Sequence, residues 1–507
     1  MLNLYNFSHT KKKSFSITAS KRISLVLRGF VLASAIIFTI ISTIIVFMVV
    51  SMGILPAKYF AIVVAGVVLF SAVGFLMFFI SKKHKVSAII VSVTLLIISG
   101  FMCLGLSYLF STKDFFNQTK AREYYTVKYS VLVHKDSEYQ ELSELNDKRY
   151  ASYVDTVTSY TEAFEELKQI INFNAILHDT YLNAASAFMR GEADFIMLSD
   201  SYVGIIEDME EGFSEKIRSI HTIEVKVYDA VEVSDVDVLN ESFNIYISGI
   251  DVEGDISQVS RSDVNMIVTV NPKTHKVLLT SIPRDFYIQL HGTTGLKDKL
   301  THSGIYGPTM TVKTVEDFLN IKINYFIRVN FSSVVNLVNA IGGVYLTPNF
   351  TFYRAYDGNN CWYNEGVTTW YNGACALRYA RERKAYGTGD IQRIQNQQHV
   401  LTAILNKILS PEIIKNYSSI LSAVQNNFET SIPEQKIYQL INNQLDNMPK
   451  WEVLDCHMEG YDSHSDIYSY GKYEAGNYGA NYYYVMEPNY DTVEAAKAKI
   501  KEVFEGQ

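Results

Sequence analysis

The sequence predicts a membrane-anchored α/β protein: three N-terminal transmembrane helices, a small α/β accessory domain, then a layered α/β domain on a central mixed sheet. Three observations carry that prediction. The first 113 residues contain no Asp or Glu but 11 Lys and Arg, and they hold three long apolar runs. Beyond them, short strand-like runs alternate with helix-spaced ones, the pattern of a sheet covered by helices. Between Asp251 and Gln397, arginines and aspartates gather beside apolar runs instead of spreading over a solvated face. The 507 residues divide accordingly into a cytoplasmic basic tail (1–29), membrane helices (30–110), an extracellular accessory domain (111–237), the layered domain (242–410) and a C-terminal extension (411–507).

The apolar runs Phe30–Met52, Tyr59–Ile80 and Val86–Phe110 contain no charged residue. Each has about the ~20 residues that cross a bilayer core of ~30 Å. A cleavable signal would have a shorter apolar core and no further spans behind it. Lys11, Lys12, Lys13, Lys21, Arg22 and Arg28 precede the first run, and Lys82, Lys83 and Lys85 fill the second turn, whereas the first turn offers only Lys58. Positive-inside bias then puts the N-terminus in the cytoplasm and everything after about Ser111 outside a plasma membrane. The part beyond residue 113 holds all 53 acidic residues against 34 basic ones. Such a body repels nucleic acid, so no nucleic-acid partner is expected. Cys103 lies in the third run, and Cys361, Cys375 and Cys456 lie beyond it. Cys361 and Cys375 are the nearest pair, and sequence leaves their pairing open. No CxxC or His-x-x-x-His spacing suggests zinc.

Along the outer part, Tyr124–His134 alternates as a strand and Thr161–Ile171 has helical spacing. Asn183–Arg190 leads as a helix into a buried strand at 193–198, with Asp194 as a strand-start residue. Phe243–Ile250 reads as a buried strand with Asp251 just past its end. Val264–Val270 and Lys276–Ile282 read as paired strands about the Asn271-Pro272-Lys273-Thr274 turn. Thr311–Leu319, Tyr325–Val329, Phe331–Ile341 and Val344–Leu346 then alternate helix and strand. A helix over Asp390–Leu409 sets Asp390, Arg393 and Gln397 at i, i+3 and i+7 on one face. Past Ser410, helical spacing returns at Ile420–Phe428, Gln435–Leu445 and Thr492–Phe504. The Tyr-rich run 468–484 suits β-packing or sugar stacking.

Three short runs read as one diphosphate site. They are Arg261-Ser262-Asp263, Ser281-Ile282-Pro283-Arg284-Asp285, and Arg381-Glu382-Arg383 with Asp390 and Arg393. Arginine grips phosphate oxygens two at a time and keeps its charge. Carboxylates among arginines orient them or hold a hard cation that bridges phosphates. No general base stands out: Lys299 and His302 are candidates, but a loop salt bridge and a surface histidine are the readings preferred for them. The apolar run from Tyr325 to Ile341 could line a cavity between sheet and helix, or be ordinary core.

These motifs, taken in order with Gly249-Ile250-Asp251, Asp298-Lys299-Leu300-Thr301-His302, Gly342-Gly343-Val344 and the segment Gly373 to Arg383, resemble the LytR-CpsA-Psr family over roughly Ser242–Leu409. The three spans and the segment preceding the site resemble its capsule-associated, CpsA-type members. The resemblance implies a membrane-anchored phosphotransferase that moves a cell-envelope glycan, capsular polysaccharide foremost, from an undecaprenyl-pyrophosphate carrier to peptidoglycan through a phosphodiester. By matching position it implies Asp251 and Asp263 as ligands of Mg²⁺, with Mn²⁺ the alternative ion. Arg261, Arg284, Arg381, Arg383 and Arg393 would hold the pyrophosphate, with Gln397 lining the site and Asp390 orienting an arginine. Asp285 would support the site from behind. The capsule-synthesis machinery is a further expected partner. Two departures stand out: Gln395-Asn396 precede Gln397-Gln398 where many members carry an arginine, and Val252-Glu253-Gly254-Asp255 follow Asp251 where shorter members soon carry one. The same residues would serve plain hydrolysis of a polyprenyl pyrophosphate, and a non-catalytic membrane sensor of polysaccharide synthesis is the reading from another class.

Overall fold

A computed structural model describes residues 2–506 apart from 156, 211, 251–255, 357, 384, 386–389, 409–419, 421–427 and 471–482. The chain forms two compact units. The smaller comprises residues 1–117 with 434–449. Helices α1 (Leu2–Met52), α2 (Ala57–Ile80) and α3 (Lys85–Thr119) contain three stretches long and apolar enough to cross a membrane, Leu25–Met52, Ala57–Ile80 and Lys85–Thr119. Ala35 and Ala88 are fully buried, and Thr39 Oγ1 donates to Ser71 Oγ at 3.3 Å, so small residues let the helices pack. Phe47, Phe79 and Phe101 point outward with over two-thirds of their surface exposed, as lipid-facing rings do.

Among the described residues the larger unit, 118–433 with 450–507, carries two large sheets besides two-stranded ribbons. The first is built from β1 (Tyr124–His134), β2 (Lys148–Tyr153), β3 (Phe173–His178), β4 (Phe195–Ser199) and β5 (Ile217–Tyr228). Among the described residues it is five-stranded, ordered β3-β2-β4-β1-β5 and mixed in direction. It alternates with helices α4 (Thr158–Ile170), α5 (Tyr181–Met189), α6 (Asp200–Met209) and the short α7 (Phe213–Lys216). Thr180 and Ser199 cap α5 and α6 by accepting from Asn183 N and Tyr202 N. Asp194 ends up as a structural residue, gripped by Arg149 Nη2 at 2.8 Å.

The second sheet collects β6 (Phe243–Ile250), β7 (Ser262–Asn271), β8 (Lys276–Ile282), β11 (Tyr325–Asn330), β16 (Phe428–Thr430) and β17 (Glu452–His457). Its order among the described residues is β16-β11-β6-β7-β8-β17, again mixed. Nearly every residue of β7 from Asn265 onward and of β8 is buried, so both faces are covered. Helix α8 (Pro308–Leu319) and the terminal helix, α13 (Tyr490–Glu505), pack Val312, Val315, Val493 and Ile500 against Ile267 and Leu278. A second core joins α9 (Phe331–Ala340), α10 (Gly373–Arg381) and α11 (Asp390–Ile408). It takes in the ribbons β12 (Val344–Leu346) with β15 (Thr369–Tyr371) and β13 (Phe352–Tyr356) with β14 (Asn359–Tyr363). Residues beyond 410, expected as an extension, thus supply two strands of the central sheet and a helix of its cover. Hydrophobic periodicity is local and could not show that β17 lies parallel to β8, nearly 180 residues earlier. The expected helix at Ile420–Phe428 falls mostly outside the described residues, and Phe428 itself opens β16.

Candidate active site

The site forms where four strands of the second sheet end together. Ile250 closes β6 opposite Ser262, which opens β7, and a register shift at Gly249/Ile250 marks a bulge there. Ile282 closes β8 opposite Asn265, and Asn330 closes β11 opposite Ile250. The loops leaving this edge therefore share one end of the sheet, the usual place for ligands in α/β folds.

Arg284 follows β8 directly and donates from Nη1 to Asp263 Oδ1 at 2.8 Å and from Nε to Asp285 Oδ2 at 3.3 Å. Thr301 Oγ1 also donates to Asp263 Oδ1, at 3.1 Å, and Lys299 Nζ stands 3.5 Å from Asp285 Oδ1. The ribbon of β9 (Tyr287–Ile288) and β10 (Asp298–Lys299), with Thr301 N donating to Arg284 O, locks these loops side by side. The side chains of Arg284 and Asp263 keep only 16% and 11% of their exposure, so the pair is largely desolvated. Burial pulls the Asp263 carboxyl upward in pKa, but the charges of Arg284 and then Arg261, with both hydrogen bonds, outweigh it and hold it below its ordinary value of 3.8. A depressed carboxylate stabilises the fold above its unfolded value and loses that contribution as pH falls through the folded one. Thermal unfolding of Asp263→Asn in detergent is therefore expected to lose part of the wild-type's acid dependence below about pH 4. An unchanged slope would contradict the ion pair.

Helix α10 delivers Arg381 to the same end. Gly373 permits this, because a Cβ there would lie 2.2 Å from Val335 O, so α9 and α10 touch backbone to backbone. At the far end of that contact, the Arg381 guanidinium sits 4.2 Å from the ring centroid of Phe331, the residue after β11. Arg383 is half-buried two residues on. Between them Glu382 is fully buried, gripped by Arg354 Nε at 3.0 Å and Arg378 Nη2 at 2.7 Å. Helix α11 carries Arg393, 6% exposed, and half-buried Gln397. Asn396 Nδ2 donates to Tyr379 O at 3.0 Å and Gln398 Nε2 to Cys456 O at 2.6 Å, docking α11 between α10 and β17. Asp390 opens α11, but its side chain and all of Asp251 lie outside the described residues.

Comparison with known proteins shows the family. The LytR_cpsA_psr family model matches residues 209–499, more than half of the chain. The chain belongs to the LytR-CpsA-Psr family. A polyisoprenyl-teichoic acid–peptidoglycan teichoic acid transferase TagU of Enterococcus faecalis (strain ATCC 700802 / V583) is 36% identical over 214 residues, 41% of this chain and 68% of that protein. The TagU of Bacillus subtilis (strain 168) is 37% identical over 202 residues, 39% of this chain and 63% of its own length. This chain thus spans about two-thirds of these curated relatives. The crystal structure of B. subtilis TagV matches at 28% identity with a TM-score of 0.42, covering 52% of this chain and 98% of that one.

In this LytR-CpsA-Psr protein the fold also corrects the reading of His302 as a surface residue. His302 is buried, at 2% exposure, with Nδ1 2.7 Å from Asp298 Oδ1 and 3.0 Å from Ser469 Oγ. It left the surface because 468–470 folds over it, a contact across more than 160 residues of chain. Lys299 is the salt-bridge residue the sequence suggested. Cys361 and Cys375 form a disulfide that ties β14 to the start of α10. Sequence reasoning missed Thr301 as a partner of Asp263, and Arg354 and Arg378 as clamps on Glu382. Arg378 stands four residues before Glu382, a helical ion-pair spacing that could have revealed it. Among the described residues no three His, Cys, Asp or Glu side chains are grouped to hold a metal.

Proposed function

We propose that this protein transfers a cell-envelope glycan from a polyprenyl-pyrophosphate carrier to a peptidoglycan hydroxyl, and that the glycan is capsular polysaccharide. The observation that carries the proposal is the meeting, at one sheet end, of ionised Asp263 with Arg284 and Arg261, beside the Arg381–Phe331 contact. Phosphoryl transfer asks a protein mainly for positioning and charge neutralisation, which this arrangement supplies. The names of the TagU relatives describe transfer of a polyisoprenyl-linked polymer to peptidoglycan, and they support the same reaction class here. Helix α9 is apolar, yet Phe331, Val334, Val335 and Leu337 remain half-buried, so it offers a prenyl chain a surface next to the arginines.

Mg²⁺ is proposed as the cofactor. Both described partners of Asp263 converge on Oδ1, and a carboxylate held below its ordinary pKa suits an ion that takes one or two carboxylates and completes its shell with phosphate oxygens and water. Asp263, with Asp251, would hold the ion, which when bound would neutralise charge on the pyrophosphate. The arginines would grip and orient the phosphates, and Asp285 with Lys299 would keep Arg284 aimed.

The proposed orientation places the N-terminus in the cytoplasm and the larger unit outside. Within the smaller unit, α12 (Glu434–Asn447) supports it: Lys58 Nζ lies 2.9 Å from Asp446 Oδ1, Asn442 Nδ2 donates to Gly53 O, and Tyr438 meets Phe116 edge-on at 5.1 Å. The α1–α2 turn, the end of α3 and α12 therefore share one end of the bundle, the end with few basic residues.

The test is the wall-linked polysaccharide of cells that carry Asp263→Ala and lack related enzymes, with equal membrane levels of the protein. Polymer is expected to move from the wall to the medium and lipid fractions, leaving about a tenth or less attached. Unchanged attachment would sink the transferase reading and favour a sensor.

A further inference from the structure

Helix α6 belongs to the first sheet's layer, yet it reaches the site on the second. Its Gly204 leaves the helix without a side chain on the side that faces Arg261. A Cβ on Gly204 would stand 3.5 Å from Nη2, 3.6 Å from Cζ and 3.8 Å from Nε of Arg261. Three near-equal distances mean that the guanidinium lies broadside on the bare helix backbone.

The segment that leads into Arg261 is held from several directions. From the first sheet's layer, Ser201 Oγ donates to Val259 O at 3.1 Å, Thr126 N donates to Ser257 O at 2.9 Å, and Val259 N donates to Thr126 O at 3.1 Å. From the second sheet, Arg328 donates to Ile256 O at 2.9 Å and to Gln258 O at 2.6 Å. The backbone of residues 260–262 then passes so near Gly304 that a Cβ there would lie 2.4 Å from Ser260 O and 2.7 Å from Ser262 N. Little freedom remains for Arg261 other than its side-chain angles, and α6 borders the guanidinium those angles carry.

We propose that Gly204 is a positioning residue for the pyrophosphate site, and that the 124–228 layer is present in part to supply the wall on which Arg261 rests. This rests on the reading of Arg261 as a pyrophosphate ligand. A guanidinium held flat against a wall is already oriented for phosphate, at small entropic cost on binding. A side chain at position 204 would lift the fork from its place, and an error of about 1 Å in such a site can cost about 100-fold.

The test uses the full chain in detergent and the dissociation constant for polyprenyl pyrophosphate, with thermal unfolding measured alongside. Gly204→Ala is expected to bind within about twofold of wild type, because 3.5 Å is an ordinary contact. Gly204→Leu, also a better helix former than glycine, is expected to weaken binding about tenfold or more without lowering the unfolding temperature. Arg261→Ala is expected to weaken it at least as much, and adding Gly204→Leu to Arg261→Ala should change nothing further. Full binding by Gly204→Leu, where Arg261→Ala has lost it, overturns the positioning role and leaves the proposed function standing. Additive losses in the double variant also overturn it, since they would report general damage. Full binding by Arg261→Ala would remove Arg261 from the site and take this inference with it.

Discussion

Replacing Arg284 with alanine is expected to lower glycan transfer by about 10²–10³-fold in kcat/KM, the scale seen when one preorganised charge-stabilising donor is removed. Two effects add in the same direction. On the proposed reading the guanidinium is lost from the place where phosphate charge is neutralised, and Asp263 and Asp285 are left as part-buried carboxylates that had shared it. Lys299, 3.5 Å from Asp285, can compensate only on that side. Arg284→Lys should fall in between, because an ammonium keeps the charge but cannot reach both carboxylates with a planar fork. The measurement is transfer kinetics on the detergent-solubilised full chain, with thermal unfolding to show that each variant is folded. Alanine activity within tenfold of wild type would remove Arg284 from the reaction.

Glu382→Ala is expected to destabilise the larger unit by about 3 kcal/mol, near the low end for breaking a buried ion pair because both arginines keep some access to water. The loss has three parts: the clamp on Arg354, the clamp on Arg378, and the hydrogen bond that Ala385 N donates to Oε1. Against a typical total of about 5–15 kcal/mol this is a large fraction. The same change releases the segment that spaces Arg381 from Arg383, so transfer should weaken in parallel. Glu382→Gln retains an acceptor for Ala385 N and should cost less. Urea unfolding of the three proteins decides the matter, and equal midpoints for wild type and alanine would mean that the clamp contributes nothing.

The membrane helices were legible because their signal is local: an unbroken apolar run without charge needs no partner to be recognised. Strands β6, β7 and β8 were legible for a similar reason, since a buried strand and a tight turn both have short-range chemistry. Asp263 with Arg284 could be paired on paper because both flank strands joined by one turn. Arg381 could be grouped by residue type but not placed, since its position depends on α10 lying against the α9 backbone at Gly373. His302 was misjudged because what buries it comes from the far end of the chain.

By itself the sequence determined the anchor, the order of strands and helices through the layered domain, and the residue types of a candidate anion site, all set by hydrophobic period, turn chemistry and charge. Tertiary structure alone decided that residues past 410 complete the central sheet, that Cys361 bonds Cys375, that Glu382 is a buried clamp, and that helix α6 borders Arg261. These depend on contacts between segments far apart in the chain or on facing surfaces of packed elements. Their energies come from burial and complementarity, which no local pattern encodes.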